Sequence, residues 1–174
     1  MKPSKPPVIF LLGPTASGKT DWAIAWQKLF KRIEIISVDS VMVYQGCDIG
    51  SAKPTKAILA KHPHYLVDET ELDQIFSVAD FCRSAHQLIK DIHSRNNIPL
   101  LVGGSMMYFN VLKKGMSALP SADSNFRAEL EMRIQGEGII SLHNELLALD
   151  QAIANSIKPQ DTQRIIRALE IIHL

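Results

Sequence analysis

Cysteine is scarce in this chain, with two in 174 residues. Cys47 and Cys82 stand far apart, a spacing that fits neither a disulfide framework nor a metal centre. Such usage is expected of a reduced, cytoplasmic protein. An excess of either charge is also lacking. The net charge of +1 gives no global basic field, so any nucleic-acid site has to be a local patch. No apolar run reaches the roughly 20 residues of a membrane span. The start, Met1-Lys2-Pro3-Ser4-Lys5-Pro6-Pro7, reads as neither a signal nor a transit peptide. Repeats and low-complexity tracts are missing too. What remains is an apolar content of 46%, enough for a globular domain of this length to bury a sizeable core.

Against these absences one motif stands out. Gly13, Pro14, Thr15, Ala16, Ser17, Gly18, Lys19 and Thr20 spell G-x-x-x-x-G-K-[ST]. The apolar run Val8-Ile9-Phe10-Leu11-Leu12 precedes it and a helical pattern follows, which is the strand–loop–helix context of a phosphate-binding P-loop. The flanks weigh against a chance match on a Gly-rich turn. Gly13 and Gly18 permit backbone bends that a Cβ would penalise. Successive backbone N–H groups then converge on one anion, with the positive end of the helix dipole behind them. Lys19 supplies a point charge for terminal phosphate oxygens, and Thr20 a hydroxyl for Mg²⁺. The loop alone does not say which group moves.

The rest of the chain predicts an α/β domain followed by helices. Strands are expected over 8–12, 33–39, 64–67 and 98–102, and helices over 19–30, from Ser77 to about Arg95, and from Ser105 to about Lys114. Ser77-Val78-Ala79-Asp80 reads as a capping box with Asp in place of Glu. Residues 41–61 read as irregular, broken by Gly46, Gly50 and Pro54. Apolar strands alternating with helices imply a parallel sheet with ligands at the carboxyl ends of its strands. The P-loop, the loop after Asp39 and Gly103-Gly104-Ser105 are therefore expected to converge. After Pro120 strand signals stop. Helices are expected from Asp123 or Ser124 to about Gln135, over 139–149, briefly from Asp150, and over 162–173, with Gly136-Glu137-Gly138 as a break. The division expected is 1–118 for the α/β core and 119–174 for a helical module. Ile171-Ile172-His173-Leu174 lies inside an amphipathic pattern with no stop signal, so the chain is expected to be part of a longer protein.

Four further clusters carry possible chemistry. Asp39, in Ser37-Val38-Asp39-Ser40, can act as a proton acceptor, as a Mg²⁺ ligand or as a cap of the following turn, and spacing leaves all three open. Asp48-Ile49-Gly50-Ser51-Ala52-Lys53-Pro54 reads as a substrate loop or simply a turn. Gly103 and Gly104 permit close approach of a ligand or another backbone, and Ser105 reads as an N-cap. Arg164 and Arg167 share a helical face that suits a phosphate backbone, or is merely solvated. His62 and His64 have no third ligand nearby and are set aside as a metal site.

Together these motifs resemble the tRNA dimethylallyltransferases. The resemblance rests on GPTASGKT, SVDS, YQGCDIGSAKP (44–54), PLLVGGSMMYF (99–109), LPSAD (119–123) and DTQRIIRALE (161–170). The departures are mild: Cys47, Ser51, Ser105-Met106-Met107 and Thr162 stand where the family usually has other residues, and Ser51 keeps the usual hydroxyl. The family also extends well past Leu174. The resemblance implies a P-loop NTPase-like parallel sheet flanked by helices, with an inserted all-helical module that grips tRNA. It implies transfer of a dimethylallyl group from dimethylallyl diphosphate, rather than phosphoryl transfer from ATP, to the exocyclic amine of the adenine beside the anticodon. Diphosphate would sit on residues 13–20, with Mg²⁺ as cofactor placed by Thr20. Catalytic roles fall to Asp39 as base, Lys19 and Thr15. tRNA contacts map onto Asp39, Ser40, Val41, Met42, Ser105, Arg127, Gln163, Arg164, Ile165, Ile166 and Arg167. A monomer is expected, with this length of chain alone weakly active or inactive. The runner-up is a small-molecule kinase with ATP on the P-loop.

Overall fold

A computed structural model describes residues 6–116 and 119–174. The chain divides into two compact units, one through Met116 and one after it.

The first unit is built on four parallel strands in the order β1-β4-β2-β3: β1 (Ile9–Leu12), β2 (Ile33–Val38), β3 (His64–Tyr65) and β4 (Ile98–Gly103). The register places Ile35 and Ile36 of β2 against Leu100 and Leu101 of β4, and Ile9 of β1 against Leu100 as well. Side chains alternate across a strand, so a continuous apolar run serves two cores. On one face Ile33, Ile35, Leu100 and Val102 pack with Ala23 and Trp26 of α1 (Lys19–Leu29). On the other, Ile36, Val38 and Leu101 pack with Phe81, Ala85 and Ile92 of α3 (Val78–Ser94) and with Tyr108 and Phe109 of α4 (Met106–Lys114). Phe81 and Tyr108 stack with centroids 4.6 Å apart. The capping box forms as expected: Ser77 Oγ accepts from the Asp80 N–H, and Asp80 Oδ2 accepts from the Ser77 N–H at 3.0 Å.

Two local expectations are corrected. Residues 41–61 are not irregular throughout, because Lys56–Lys61 forms α2. Thr55 starts it, its Oγ1 accepting from the Ile58 N–H at 3.4 Å. Six residues carry too little periodicity to see, and Pro54 reads as a breaker although it stands just before an N-cap. In the second unit, α5 (Ser124–Glu137) runs through Gly136, and the break is Gly138, at φ +81°.

The second unit is helical, as expected: α5, α6 (Ile139–Leu149), α7 (Gln151–Ser156) and α8 (Thr162–His173). Asp123, Asp150 and Asp161 cap α5, α7 and α8 through their carboxylates. Leu130, Leu142, Leu146, Ile165 and Leu169 form its core. No helix among the described residues is long and apolar enough to cross a membrane.

Candidate active site

The carboxyl ends of β1, β2 and β4 meet at a cavity of about 300 Å³. Thr15, Ala16, Ser17, Gly18, Lys19, Thr20 and Asp21 line one side. Asp39, Met42, Gly103 and Gly104 line it as well, so the expected convergence of the three loops occurs.

The P-loop has the geometry of an anion cradle. Gly18 is the N-cap of α1, in the left-handed region at φ 77° and ψ 14°, and no side chain caps that helix. The first-turn N–H groups are thus left for a ligand. Gly13 sits close to the loop it opens: a Cβ there would lie 3.0 Å from Ser17 Oγ, a tight contact. A left-handed residue that the sequence did not mark is Ala16, at φ 64°, a conformation disfavoured for residues with a Cβ. Lys19 Nζ donates to the Pro14 carbonyl at 2.5 Å and to Ser17 Oγ at 3.4 Å. A bound phosphate would compete for those donors.

Asp39 follows β2 directly. Its Oδ1 accepts from the backbone N–H of Val41 at 2.8 Å and of Met42 at 3.1 Å. The carboxylate is therefore held by the turn it caps, while Oδ2 accepts no hydrogen bond from the described residues. Turn cap and chemical role, which the sequence left as alternatives, are compatible. Ser40 and Val41 are exposed, and Met42 is half-buried.

Gly103 and Gly104 settle differently. Gly103 packs against another backbone, since a Cβ on it would collide with the Val38 carbonyl. Gly104 has room and lines the cavity. Ser105 takes the N-cap position of α4 without a side-chain capping bond. Its backbone N–H donates to the Val38 carbonyl at 3.3 Å.

Several lining residues were not assigned a role from sequence: Ser37, Ser51, Ala52, Pro54 and His64. Ser51, Ala52 and Pro54 belong to the loop that read as a substrate loop or a turn, and here they form a wall. Ala52 is at φ 56°. His64 Nδ1 donates to the His62 carbonyl at 2.6 Å. Burial pushes the His64 imidazole below its usual range, and its buried Nε2 has no hydrogen-bond partner among the described residues.

In the second unit Glu170 has a fully buried carboxylate. Arg127 donates to it in bidentate fashion, Nε to Oε1 at 2.7 Å and Nη2 to Oε2 at 2.8 Å. Arg167 Nη1 also donates to Oε2, and the Asp123 backbone N–H to Oε1 at 2.7 Å. The Arg127 hydrogen bond, followed by those of Arg167 and Asp123, outweighs desolvation and holds Glu170 down to a pKa of about 2. Arg127 and Arg167 remain partly exposed, at 40% and 32% of their side chains. Gln163 and Arg164 are exposed, and Arg164 reaches only Asp161, at 3.3 Å. Ile165 and Ile166 correct an expectation. Their side chains are core residues of α8, so α8 can offer a polynucleotide its arginines and Gln163 but not these two side chains.

The model of the IPP transferase family matches residues 42–174. The chain belongs to the IPP transferase family. A tRNA dimethylallyltransferase of Vesicomyosocius okutanii subsp. Calyptogena okutanii is 47% identical over 167 residues, covering 96% of this chain and 54% of that protein. The full-length tRNA isopentenylpyrophosphate transferase of Bacillus halodurans superposes with a TM-score of 0.62 at 40% identity, over 98% of this chain and 56% of that one. A eukaryotic dimethylallyltransferase acting on tRNA gives a TM-score of 0.74 at 26% identity, over 96% and 41%. The chain thus spans about half the length of the relatives it matches. The fold expected from the motifs, a P-loop NTPase-like parallel sheet flanked by helices, is the fold of this family.

Proposed function

We propose that the protein transfers a dimethylallyl group from dimethylallyl diphosphate to the exocyclic amine of the adenine beside a tRNA anticodon. Its relatives are named as dimethylallyltransferases that act on tRNA. The observation that carries the reading is the shared cavity of Lys19 and Asp39, with Oδ1 of Asp39 pinned and Oδ2 open.

The geometry supports a role for each residue. The left-handed P-loop and the uncapped start of α1 take the diphosphate. Lys19 exchanges the Pro14 carbonyl for phosphate oxygens and opposes the charge that grows on the leaving diphosphate. Thr15 lines the same side and supplies a hydroxyl there. The adenine leaves its stack to reach such a cavity. Its amine nitrogen bonds to the first prenyl carbon as the carbon–oxygen bond to diphosphate breaks. The proton lost by the amine passes to Oδ2 of Asp39.

The donor set also fits Mg²⁺. Among the described residues no three His, Cys, Asp or Glu gather to hold a metal, and Mg²⁺ bound with a diphosphate needs few protein ligands because it keeps waters and shares phosphate oxygens. Thr20 would hold it, and bound there it would neutralise diphosphate charge. Gln163, Arg164, Arg127 and Arg167 would meet RNA phosphates. Ser40, Val41, Met42 and Ser105 would meet the nucleotide beside Asp39. The setting would be the cytoplasm, where tRNA is found, and the working form a monomer.

The test incubates stoichiometric protein with an anticodon stem-loop, dimethylallyl diphosphate and Mg²⁺, so that a single turnover is counted by RNA mass. Gain of one dimethylallyl group, lost in Asp39→Ala, is expected. Tight binding of ATP in place of dimethylallyl diphosphate, with RNA mass unchanged, would overturn the reading in favour of a kinase.

A further inference from the structure

Lys53 is a second lysine beside the cavity, and its surroundings differ from those of Lys19. Its side chain is 3% exposed. Nζ donates to Asp68 Oδ1 at 2.5 Å, to the Tyr44 carbonyl at 2.8 Å and to Asp48 Oδ1 at 2.9 Å. An ammonium has three N–H groups, and all three are spent on protein. Burial works against the charge, yet the bonds to Asp68 and Asp48 raise the Lys53 pKa above the ordinary lysine value. The ammonium therefore has no donor left for a phosphate.

Those three acceptors lie at three points of the chain, two before α2 and one after β3. Tyr44 follows the Asp39 turn, Asp48 opens the wall loop, and Asp68 follows β3. Backbone bonds join the stretches around two of these points, Tyr44 and Asp68: the Gln45 N–H donates to the Thr70 carbonyl at 2.9 Å, and the Asp68 N–H to the Met42 carbonyl at 3.1 Å. The cluster also holds strain. Ala52, Leu66 and Asp68 are at φ 56°, 62° and 56°. Non-glycine residues keep such angles only where the surroundings over-determine them, and such sites gather around active centres. Met42, Ser51, Ala52, Pro54 and His64 line the cavity, and Lys53 ties together the stretches that carry them.

Building on the transferase reading, we infer that Lys53 is a positioning residue for the acceptor nucleotide: it fixes the wall beside Asp39 and contributes nothing to diphosphate binding. The two halves of the cavity are then under separate control, the donor half under Lys19 and the acceptor half under Lys53.

The test compares the full-length wild-type protein with its Lys53→Met and Asp68→Asn variants, the second keeping an oxygen acceptor in case the first fails to fold. Inorganic pyrophosphate with Mg²⁺ is the probe of the donor half, read by calorimetry. Its affinity is expected to stay within about threefold of wild type in both variants, as for a site that shares no partners with the change. Single-turnover transfer at saturating RNA is expected to fall about 100-fold in Lys53→Met, the cost of a misplaced reacting group. Asp68→Asn is expected to lose about tenfold, since one charge-assisted bond becomes neutral. Hydrogen exchange at Gln45 and Asp68 is expected to quicken, with the P-loop amides unchanged. Loss of pyrophosphate affinity comparable to that of Lys19→Ala would overturn the inference, as would undiminished transfer. A full-length wild-type protein that binds pyrophosphate yet never prenylates RNA would overturn the transferase reading, and the positioning role with it. The exchange rates would still show whether Lys53 staples the loops.

Discussion

A Cβ built on Gly103 would lie well under 3.0 Å from the carbonyl carbon and oxygen of Val38. Both residues are at the carboxyl ends of paired strands, Val38 in register with Gly103. The same carbonyl accepts from the Ser105 N–H, so β4 turns into α4 over the end of β2. Neither backbone can yield without parting the strands that carry Asp39 and the cavity floor. Gly103→Ala is therefore expected to cost about 3 kcal/mol or more, at the upper end of overpacking changes. Gly104→Ala, whose Cβ would meet only the Gly13 carbonyl at 3.4 Å, is expected to cost less than about 1 kcal/mol. Urea unfolding of the two variants side by side checks the difference.

Asp39→Asn separates the two roles of the carboxylate. An asparagine Oδ1 can still accept from the N–H groups of Val41 and Met42, so the turn should hold and stability should change by less than about 0.5 kcal/mol. The proton acceptor is gone, and single-turnover prenylation is expected to fall by about 10² to 10⁴. Thermal unfolding together with RNA mass reads both. A large loss of stability would mean that the charge, and not only the oxygen, holds the turn.

Lys19→Ala is expected to weaken pyrophosphate binding. A hydrogen bond to a charged group contributes about 1.5–3 kcal/mol, which is a loss of about 10- to 150-fold in affinity. Calorimetry with pyrophosphate and Mg²⁺ checks it. Folding should be unaffected, because the Lys19 bonds to Pro14 and Ser17 are made at the exposed surface.

Much of this was legible in the sequence where the signal is local. The run Val8 to Leu12, the P-loop and the Ser77–Asp80 capping box each carry their cause within a few residues, and each forms. The convergence of three loops followed from the strand–helix alternation alone. What stayed hidden depends on distant partners. Lys53 reads as one polar residue in a loop until Asp68 is placed beside it. Gly103 could serve a ligand or a backbone until β2 is paired with β4. Ile165 and Ile166, swept up with the arginines of their motif, show their burial only once α8 is packed into a core. Helix α2 was missed for the opposite reason, being too short for periodicity to speak.

Arg127 and Arg167 depend on Glu170, and that dependence has a pH signature. The folded carboxyl titrates at about 2, below its ordinary value. The stabilisation is therefore complete above about pH 5 and is lost as pH falls toward 2. Allowing for screening at the half-exposed arginines, it amounts to about 2 kcal/mol. In Glu170→Gln the buried position keeps acceptor geometry at one oxygen but leaves Arg127 and Arg167 facing a neutral group. The variant is expected to be less stable than wild type at pH 7 by about 3 kcal/mol, and the gap should narrow on acidification. Urea unfolding, followed by helical circular dichroism at pH 7, 5 and 3, measures it. A gap that stayed constant across that range would show that packing, and not the charge of Glu170, holds the two arginines in place. RNA affinity at pH 7 should then be unchanged in the variant. If the charge does the holding, RNA affinity is expected to drop together with stability, because Arg127 and Arg167 no longer share a fixed anchor.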